Sequence, residues 1–365
     1  MTQDSCNHID KLLLEGVKRD ASDIHLTELS EPFLRIDGDL IRVKKAGVLD
    51  IGDMNRFLDR CILAGYKGTD GDFSFTFGDR RWRGNFFFSN SKKLSIALRI
   101  LPANVPDIDT LGLPASFKKV ADMKNGIVLL TGPTGSGKST TIAAMIRYVL
   151  KKKSVHLITI ENPVEYLFEG TDTSLVNQRE IGSDTMEIST ALKYALRQDP
   201  DVILVGEIRD EETARLAVDA SETGHLVFAT LHTVSVVKTV DRLYGLFPAQ
   251  ERQLVQQQIA SVLNLVVAQT LVKKPGGGRM AAVEALFPNE VIRNLIREGR
   301  THEMPQYFDQ AEYINTMDSV VQEDVVLGQN VEKRRSDRRK AFMSVTGMAD
   351  EKRNGDRRRK GEITI

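Results

Sequence analysis

A glycine-rich segment in the middle of the chain constrains the fold more than any other feature. It follows the pattern GxxxxGK[ST] and consists of Gly132, Pro133, Thr134, Gly135, Ser136, Gly137, Lys138 and Ser139, with Thr140 next in sequence. An apolar run at 127–131 precedes this segment, and apolar residues at helical spacing fill 140–151. These flanks predict a buried strand, a glycine loop and a helix, which is the context in which this pattern binds phosphate.

The residue types of this loop predict a nucleoside triphosphate as its ligand. Glycine lets the backbone turn its N–H groups toward phosphate oxygens. Lys138 brings a positive charge to the β- and γ-phosphates, and Ser139 brings a hydroxyl to Mg²⁺. The amino end of the following helix adds a favourable dipole. We therefore expect a nucleoside triphosphate and Mg²⁺ at residues 132–140.

The composition excludes several other classes of protein. The chain has 365 residues, enough for two or three domains, and its cysteines, Cys6 and Cys61, are too few for a disulfide framework or a four-cysteine zinc site. The sequence has no apolar run near the ~20 residues that span a bilayer. Residues 1–10 lack the basic and apolar regions of a secretion signal. We expect a cytoplasmic protein.

Charge is distributed unevenly along the chain, although its net value is zero. Residues 331–365 carry twelve Lys/Arg and six Asp/Glu, so residues 1–330, with 38 basic and 44 acidic side chains, have a net charge of −6. An acidic body argues against a nucleic-acid groove, and we expect no nucleic-acid partner. The tail at 331–365 has few apolar residues and is predicted to be disordered. The alternative is a basic arm that contacts an anionic lipid surface.

Alternating apolar residues predict a small α+β domain at residues 1–101. The pattern indicates a helix at 9–17 and strands at 24–26 and 94–101, with hairpins at 33–43, around Asp37-Gly38, and at 73–88. Prolines and glycines then punctuate the predicted interdomain linker, residues 102–117.

Residues 118–330 show the alternation of strands and helices that is typical of an α/β domain with a parallel sheet. The predicted strands are 127–131, 155–160, 202–206 and 226–230. Residues 249–270 and 290–298 are predicted to be helical, with a turn at 275–278 between them.

Two carboxylates follow apolar strands of this predicted sheet. Glu207 ends the strand Val202 to Gly206, and Glu161 ends the strand at 155–160. The carboxyl ends of parallel strands meet beside the phosphates, where a carboxylate holds Mg²⁺, directly or through water, or polarises the attacking water. We expect Glu207, Glu161 and Lys138 to be catalytic, and the sequence leaves open which carboxylate has which role.

Histidines stand at both ends of the last predicted strand. His232 follows its carboxyl end, the edge at which nucleotide binds, so it is placed to contact the γ-phosphate. His225 lies at the opposite end, and position alone favours a structural role for it.

Five segments of the chain occur in the order and spacing of the type II/IV secretion ATPase superfamily. They are GPTGSGKST, ITIENPVEY, QREIGSDT, ALRQDPDVILVGEIRD and TGHLVFATLHT. The segments ASDIHL, RIDGDL, VNQREIG and VIRNLIREGR are similar to those of its type IV pilus retraction (twitching motility) ATPases. The resemblance covers roughly residues 8–303.

This resemblance implies a RecA-like P-loop ATPase domain, a smaller PAS-like N-terminal domain, and a ring of six subunits that uses ATP and Mg²⁺. It assigns Glu161 and Glu165 to an acidic box, Glu207 to the end of Walker B, and His225 and His232 to a histidine box. It also implies N-terminal arginines that reach the nucleotide across domain or subunit boundaries. The matching positions are Arg81, Arg83 and Arg99.

The function that the resemblance implies is ATP hydrolysis that drives pilus retraction, from the cytoplasmic side of the inner membrane. Its implied partners are an inner-membrane platform protein, the pilus machinery and a sister ATPase. Three departures keep a non-retracting paralogue, or an accessory ATPase of a pilus or type II secretion system, as an alternative. They are Asn162 in place of the usual Asp, a shortened region after 300, and the basic tail. A nucleic-acid translocase is the less favoured alternative.

Overall fold

Two β-sheets organise the chain in a computed structural model that describes residues 8–317 except 37, 63–67, 90–91, 103 and 274–278. The first sheet is formed within residues 23–100 and the second within residues 126–315. The basic tail predicted at 331–365 lies outside the described residues, as do Asp37 of the predicted hairpin turn and the predicted turn at 275–278.

The first sheet has six strands in the order β3-β2-β1-β6-β5-β4, and every neighbouring pair is antiparallel. The strands are β1 Asp23–Thr27, β2 Phe33–Ile36, β3 Asp39–Arg42, β4 Asp70–Phe77, β5 Arg80–Ser89 and β6 Lys93–Ile100. The helices α1 His8–Lys18 and α2 Ile51–Cys61 accompany it. Trp82 is fully buried in the core of this unit and stacks on Phe75, with 5.9 Å between the ring centroids. The helix, strands and hairpins predicted for this part of the chain are confirmed.

The second sheet has eight strands in the order β14-β13-β12-β7-β11-β10-β8-β9. They are β7 Gly126–Thr131, β8 His156–Glu161, β9 Leu175–Glu180, β10 Val202–Val205, β11 Leu226–Leu231, β12 Leu263–Lys273, β13 Arg279–Phe287 and β14 Glu312–Asn315. The six strands from β12 to β9 are parallel, and β13 and β14 add an antiparallel edge. The predicted α/β class and the four predicted strands are confirmed.

Helices cover both faces of this sheet. They are α3 Ser116–Ala121, α4 Lys138–Lys152, α5 Ile188–Ala195, α6 Glu211–Glu222, α7 Val236–Gly245, α8 Arg252–Val262 and α9 Glu290–Arg297. Successive residues of β7 point to opposite faces, so Ile127 and Leu129 enter one core while Val128 and Leu130 enter the other. Central strands of this kind are apolar throughout, which is why the sequence pattern predicted them.

The helix predicted at 249–270 is wrong over its second half. Helix α8 ends at Val262, and the chain continues directly as strand β12. The segment from Leu263 pairs with β7 on one side and β13 on the other. Its apolar run with β-branched residues fits a buried strand as well as a buried helix, and tertiary pairing decides between them.

The linker predicted at 102–117 contains local structure of its own. A 3-10 turn spans Ile108–Leu111, and α3 begins at Ser116. The domain boundaries on either side of it stay predictions. Beyond residue 300 the described chain forms a 3-10 stretch, Thr301–Gln310, and then β14. Within the described residues there is no helix long and apolar enough to cross a membrane.

Candidate nucleotide-binding site

The carboxyl ends of four neighbouring strands bring the predicted site residues to one edge of the second sheet. Strands β7, β11, β10 and β8 lie side by side and parallel. Lys138 follows the loop after β7, and His232 follows β11. Glu207 follows β10, and Glu161 is the last residue of β8. The convergence results from strand order, because the four residues are distant in sequence.

The phosphate loop joins β7 to α4 in a shape that needs glycine at Gly132. Its φ of 139° lies in the region that side chains rarely adopt, and a Cβ there would stand 2.2 Å from the carbonyl oxygen of Gln269. The Lys138 ammonium donates to the carbonyl oxygens of Gly132 at 2.9 Å and Pro133 at 3.1 Å. Burial lowers the pKa of Lys138, against the opposing charges of Glu165 and Glu207. Those two carboxylates therefore lie close enough to the loop to act on its cation.

The other loop residues differ in their surroundings. Pro133, Thr134 and Gly135 are exposed, and Ser136 is buried with an Oγ that has no hydrogen-bond partner among the described residues. Thr140 shares a hydrogen bond with the Tyr166 hydroxyl at 2.8 Å. The half-buried hydroxyl of Ser139 and the carboxylate of Glu207 supply the oxygen ligands that Mg²⁺ prefers, and Mg²⁺ is usually bound by one or two protein ligands plus phosphates and water. These residues fit the predicted nucleotide and ion.

Gln269 of β12 binds the phosphate loop through its side chain. No pattern in the sequence indicates this role. Its amide nitrogen donates to the carbonyl oxygen of Ser136 at 2.8 Å, and its amide oxygen accepts from the Thr141 hydroxyl at 2.9 Å. The side chain is almost fully buried in β12. The segment that contains it was predicted to be helical, so no sequence signal placed it beneath the loop.

Gln269→Leu is expected to destabilise the protein by ~2 kcal/mol, because it leaves a buried carbonyl and a buried hydroxyl without their partner. It should also weaken nucleotide binding at least ~10-fold, since one fixed point of the loop is lost. Chemical unfolding and titration with a fluorescent nucleotide measure the two effects. Gln253→Leu, at an exposed position of α8, is the matched control. Wild-type affinity in Gln269→Leu would show that the loop does not depend on this contact.

Glu161 is a buried carboxyl at the end of β8. The edge strand β9 pairs with β8, and the Gln178 amide of β9 donates to the Glu161 carboxylate at 3.5 Å. Burial raises the pKa of Glu161 from an ordinary 4.5 to about 7, and the hydrogen bond from Gln178 opposes this rise. A carboxyl that titrates near neutral pH is suited to general acid–base work. Asn162, the departure from the family pattern, is exposed beside it.

Glu161→Gln is expected to stabilise the protein at pH 8. The folded state binds more protons than the unfolded state between pH 4.5 and about 7, so wild-type stability falls as pH rises through this window. The neutral amide removes this loss, which amounts to roughly 3 kcal/mol above pH 7. Thermal midpoints at pH 5 and pH 8 measure it, with the exposed Glu169→Gln as control. An equal gain at both pH values would mean that ionisation of Glu161 is not its source.

Glu207 lies between a guanidinium group and an imidazole ring at the same edge. Arg209 contacts one carboxylate oxygen at 2.6 Å, and the His232 Nε2 lies 3.4 Å from the other. The two partner side chains are largely exposed, whereas Glu207 is 14% exposed. A cleft of about 340 Å³, which Asn162 also lines, opens beside Glu207 and Arg209. The predicted neighbourhood of Glu207 and His232 is thus present, and Arg209 is an addition to it.

The buried Thr131 connects the carboxyl ends of β7 and β11 by hydrogen bonds. The Thr131 hydroxyl donates to the carbonyl oxygen of Leu231 at 3.0 Å or of Thr233 at 2.8 Å, and it accepts from the Thr233 backbone N–H at 2.7 Å. The loop that carries His232 is therefore fixed to the strand that leads into the phosphate loop.

Four residues predicted to bind the nucleotide contact other protein groups in one protomer, and three of them lie away from this edge. Arg83 contacts Asp72 at 3.7 Å and Arg99 contacts Asp23 at 2.9 Å, both on the first sheet. The Nδ1 of His225 lies 2.8 Å from the carbonyl oxygen of Ala220, at the amino end of β11. Arg81 reaches the second sheet, where it contacts Glu180 at 2.6 Å. Their roles at the nucleotide stay predictions.

Comparison with known proteins shows which family shares these features. The model of the family "Type II/IV secretion system protein" matches residues 3–277. The type IV pilus retraction ATPase PilT of Pseudomonas aeruginosa is 45% identical over 304 residues, 81% of this chain and 87% of that protein. The type IV pilus ATPase PilU of the same species is 35% identical over 338 residues, 87% of each chain.

A solved structure supports the same assignment. The crystal structure of the pilus retraction motor PilT with bound ADP has a TM-score of 0.79 and 41% identity, covering 86% of this chain and 92% of that one. The RecA-like fold predicted for the second sheet and its helices is confirmed by this similarity, as is a smaller N-terminal unit. With its phosphate loop and strand-end carboxylates, the chain is an ATPase that belongs to the type II/IV secretion system protein family.

Proposed function

We propose that this chain assembles into a hexamer that hydrolyses Mg·ATP to drive retraction of a type IV pilus. The observation that carries the proposal is the placement of Lys138, Glu161, Glu207 and His232 at one edge of the parallel sheet. The similarity to PilT, whose name states pilus retraction, supplies the biological process. ADP in that solved structure supports a nucleotide as the ligand.

Within this proposal each side chain has a distinct role. Lys138 leaves the loop carbonyls to bind the β- and γ-phosphates, and the loop N–H groups bind the remaining phosphate oxygens. Ser139 and Glu207 would hold Mg²⁺, which when bound would neutralise charge on the phosphates. Glu161, with its pKa near 7, accepts the proton of the attacking water. His232 contacts the γ-phosphate and, through its contact with Glu207, makes the position of that carboxylate depend on whether the phosphate is present.

Assembly supplies the residues that one protomer leaves outside the site. Arg83 and Arg99 have exposed guanidinium groups on the first sheet, and each is free to turn from its single carboxylate to a phosphate of a neighbouring subunit. We extend this proposal to His225, which lies at the amino end of β11, opposite the edge that carries His232. A ring of six subunits would act at the cytoplasmic face of the inner membrane on a platform protein, and the basic tail at 331–365 would add contact with anionic lipid.

Live imaging of labelled pili tests the proposal in the native host. Cells that carry chromosomal Glu207→Gln should extend pili and fail to retract them, whereas wild-type cells do both. Retraction at the wild-type frequency and force would contradict a retraction motor.

An accessory ATPase is the second candidate, favoured by the similarity to PilU over 87% of the chain. In that case retraction in Glu207→Gln cells should continue at reduced force, driven by the sister motor. Stimulation of ATP turnover by DNA would instead indicate a translocase, and we expect none.

A further inference from the structure

Glu180, the last residue of β9, is a buried carboxylate that accepts hydrogen bonds from both sheets. Its side chain is 7% exposed. One carboxylate oxygen accepts from the backbone N–H of Val164 at 3.0 Å and from the Arg81 guanidinium at 2.6 Å. The other accepts from the Ser74 hydroxyl. Val164 belongs to the second sheet's unit, whereas Ser74 and Arg81 belong to strands of the first.

The contact with Val164 joins Glu180 to residues 162–165, which we call the acidic turn. Val164 stands between Glu161 and Glu165, the carboxylates of the proposed site. Glu161 and Glu180 are paired in the β8–β9 register, and the Glu161 carbonyl oxygen accepts from the N–H of Ile181 at 2.9 Å. Glu180 thus fixes the backbone that leaves β8.

The contact with Arg81 balances the charge of this buried carboxylate. A buried carboxylate is strongly destabilising without a partner, and removal of one member of such a pair leaves the other uncompensated. Arg81 is 20% exposed, and its guanidinium also donates to the Ser74 hydroxyl at 2.7 Å. The first sheet therefore meets the second at the residue that holds the acidic turn.

We propose that Glu180 is a positioning residue for the acidic turn at residues 162–165, and that Arg81 and Ser74 dock on it to couple the placement of the N-terminal unit to that turn. When the N-terminal unit is in contact, Glu180 is neutralised and holds Val164. When the contact is broken, Glu180 is drawn toward water and the acidic turn, which follows Glu161 and contains Glu165, loosens. As far as it concerns turnover, this inference rests on the proposed ATPase function.

Hydrogen exchange and steady-state kinetics on the full chain test this coupling. Arg81→Met and Glu180→Gln should each raise amide exchange ~5-fold or more in the peptide that covers residues 162–168. Each should lower kcat ~10-fold while KM for ATP changes less than ~2-fold, because phosphate binding is left intact. The double variant should be no worse than either single variant, since both break one linkage. Arg81→Lys should restore part of kcat, because it keeps the charge.

Arg56→Met is the matched control, because Arg56 makes an ion pair with Asp53 at 2.6 Å within α2, in the same N-terminal unit. It should leave the exchange of residues 162–168 and kcat at wild-type values. Unchanged exchange of this peptide in Arg81→Met, or additive losses in the double variant, would overturn the proposal. Hydrogen exchange is measured without ATP. A wild-type chain that failed to hydrolyse ATP would therefore contradict the proposed function, whereas the exchange of residues 162–168 would still test the coupling.

Discussion

Lys138→Ala is expected to reduce ATP turnover to the background rate while the protein stays folded. The ammonium of Lys138 is the cation that the phosphate loop holds at the sheet edge, through the carbonyl oxygens of Gly132 and Pro133. Without it, the charge that develops on the transferred phosphoryl group has no side-chain cation from the loop. A loss of at least ~100-fold is expected, as for removal of one preorganised donor.

Phosphate release by purified protein measures this loss, and far-ultraviolet circular dichroism confirms folding. Lys151→Ala is the matched control, because Lys151 lies near the other end of the same helix, exposed and paired with Asp107 at 3.1 Å. It should turn over ATP at the wild-type rate. Turnover within ~2-fold of wild type in Lys138→Ala would mean that the hydrolytic site lies elsewhere.

Glu207→Gln is expected to separate nucleotide binding from hydrolysis. The amide keeps the size of the side chain between Arg209 and His232 but removes its charge. It cannot support a metal-bound or attacking water as a carboxylate does, so hydrolysis should slow at least ~10-fold. Affinity for nucleotide should change much less, because the loop N–H groups and Lys138 are unaltered.

Titration with a fluorescent ATP analogue and phosphate release give the two quantities for this variant. Glu222→Gln serves as its control, since Glu222 accepts from Gln258 on the surface of α6 at 2.8 Å. If Glu207→Gln hydrolysed ATP at the wild-type rate, the strand-end carboxylate would have no part in the chemistry.

The central strands and the loop were predictable from sequence because their signals are local. Strands β7, β8, β10 and β11 are short apolar runs between helices, and both of their faces are buried. The loop carries its own glycine and lysine pattern. The rule that ligands bind at the carboxyl ends of parallel strands then placed Glu161, Glu207 and His232 together, and it separated His232 from His225.

The missed features depend on contacts between distant residues. Strand β12 is apolar enough for a helix, and its pairing with β7, more than 130 residues away, makes it a strand. Gln269 was missed with it. Strand β9 is a partly exposed edge whose pattern gave no clear signal, and it carries Gln178, whose hydrogen bond to Glu161 opposes the rise in the pKa of that carboxyl. The contact between Arg81 and Glu180 joins residues 99 positions apart, which no spacing rule relates.

Ring assembly should control catalysis, and ATP turnover per subunit at increasing protein concentration, with light scattering on the same samples, measures this dependence. Phosphate release per subunit should rise as the mass reaches that of a hexamer, because Arg83 and Arg99 reach the nucleotide only in the assembled ring. This rise should be absent in Arg83→Ala and Arg99→Ala. A per-subunit rate that is the same in the monomer and in the assembled state, or no hydrolysis at any concentration, would rule out an ATPase that depends on ring assembly.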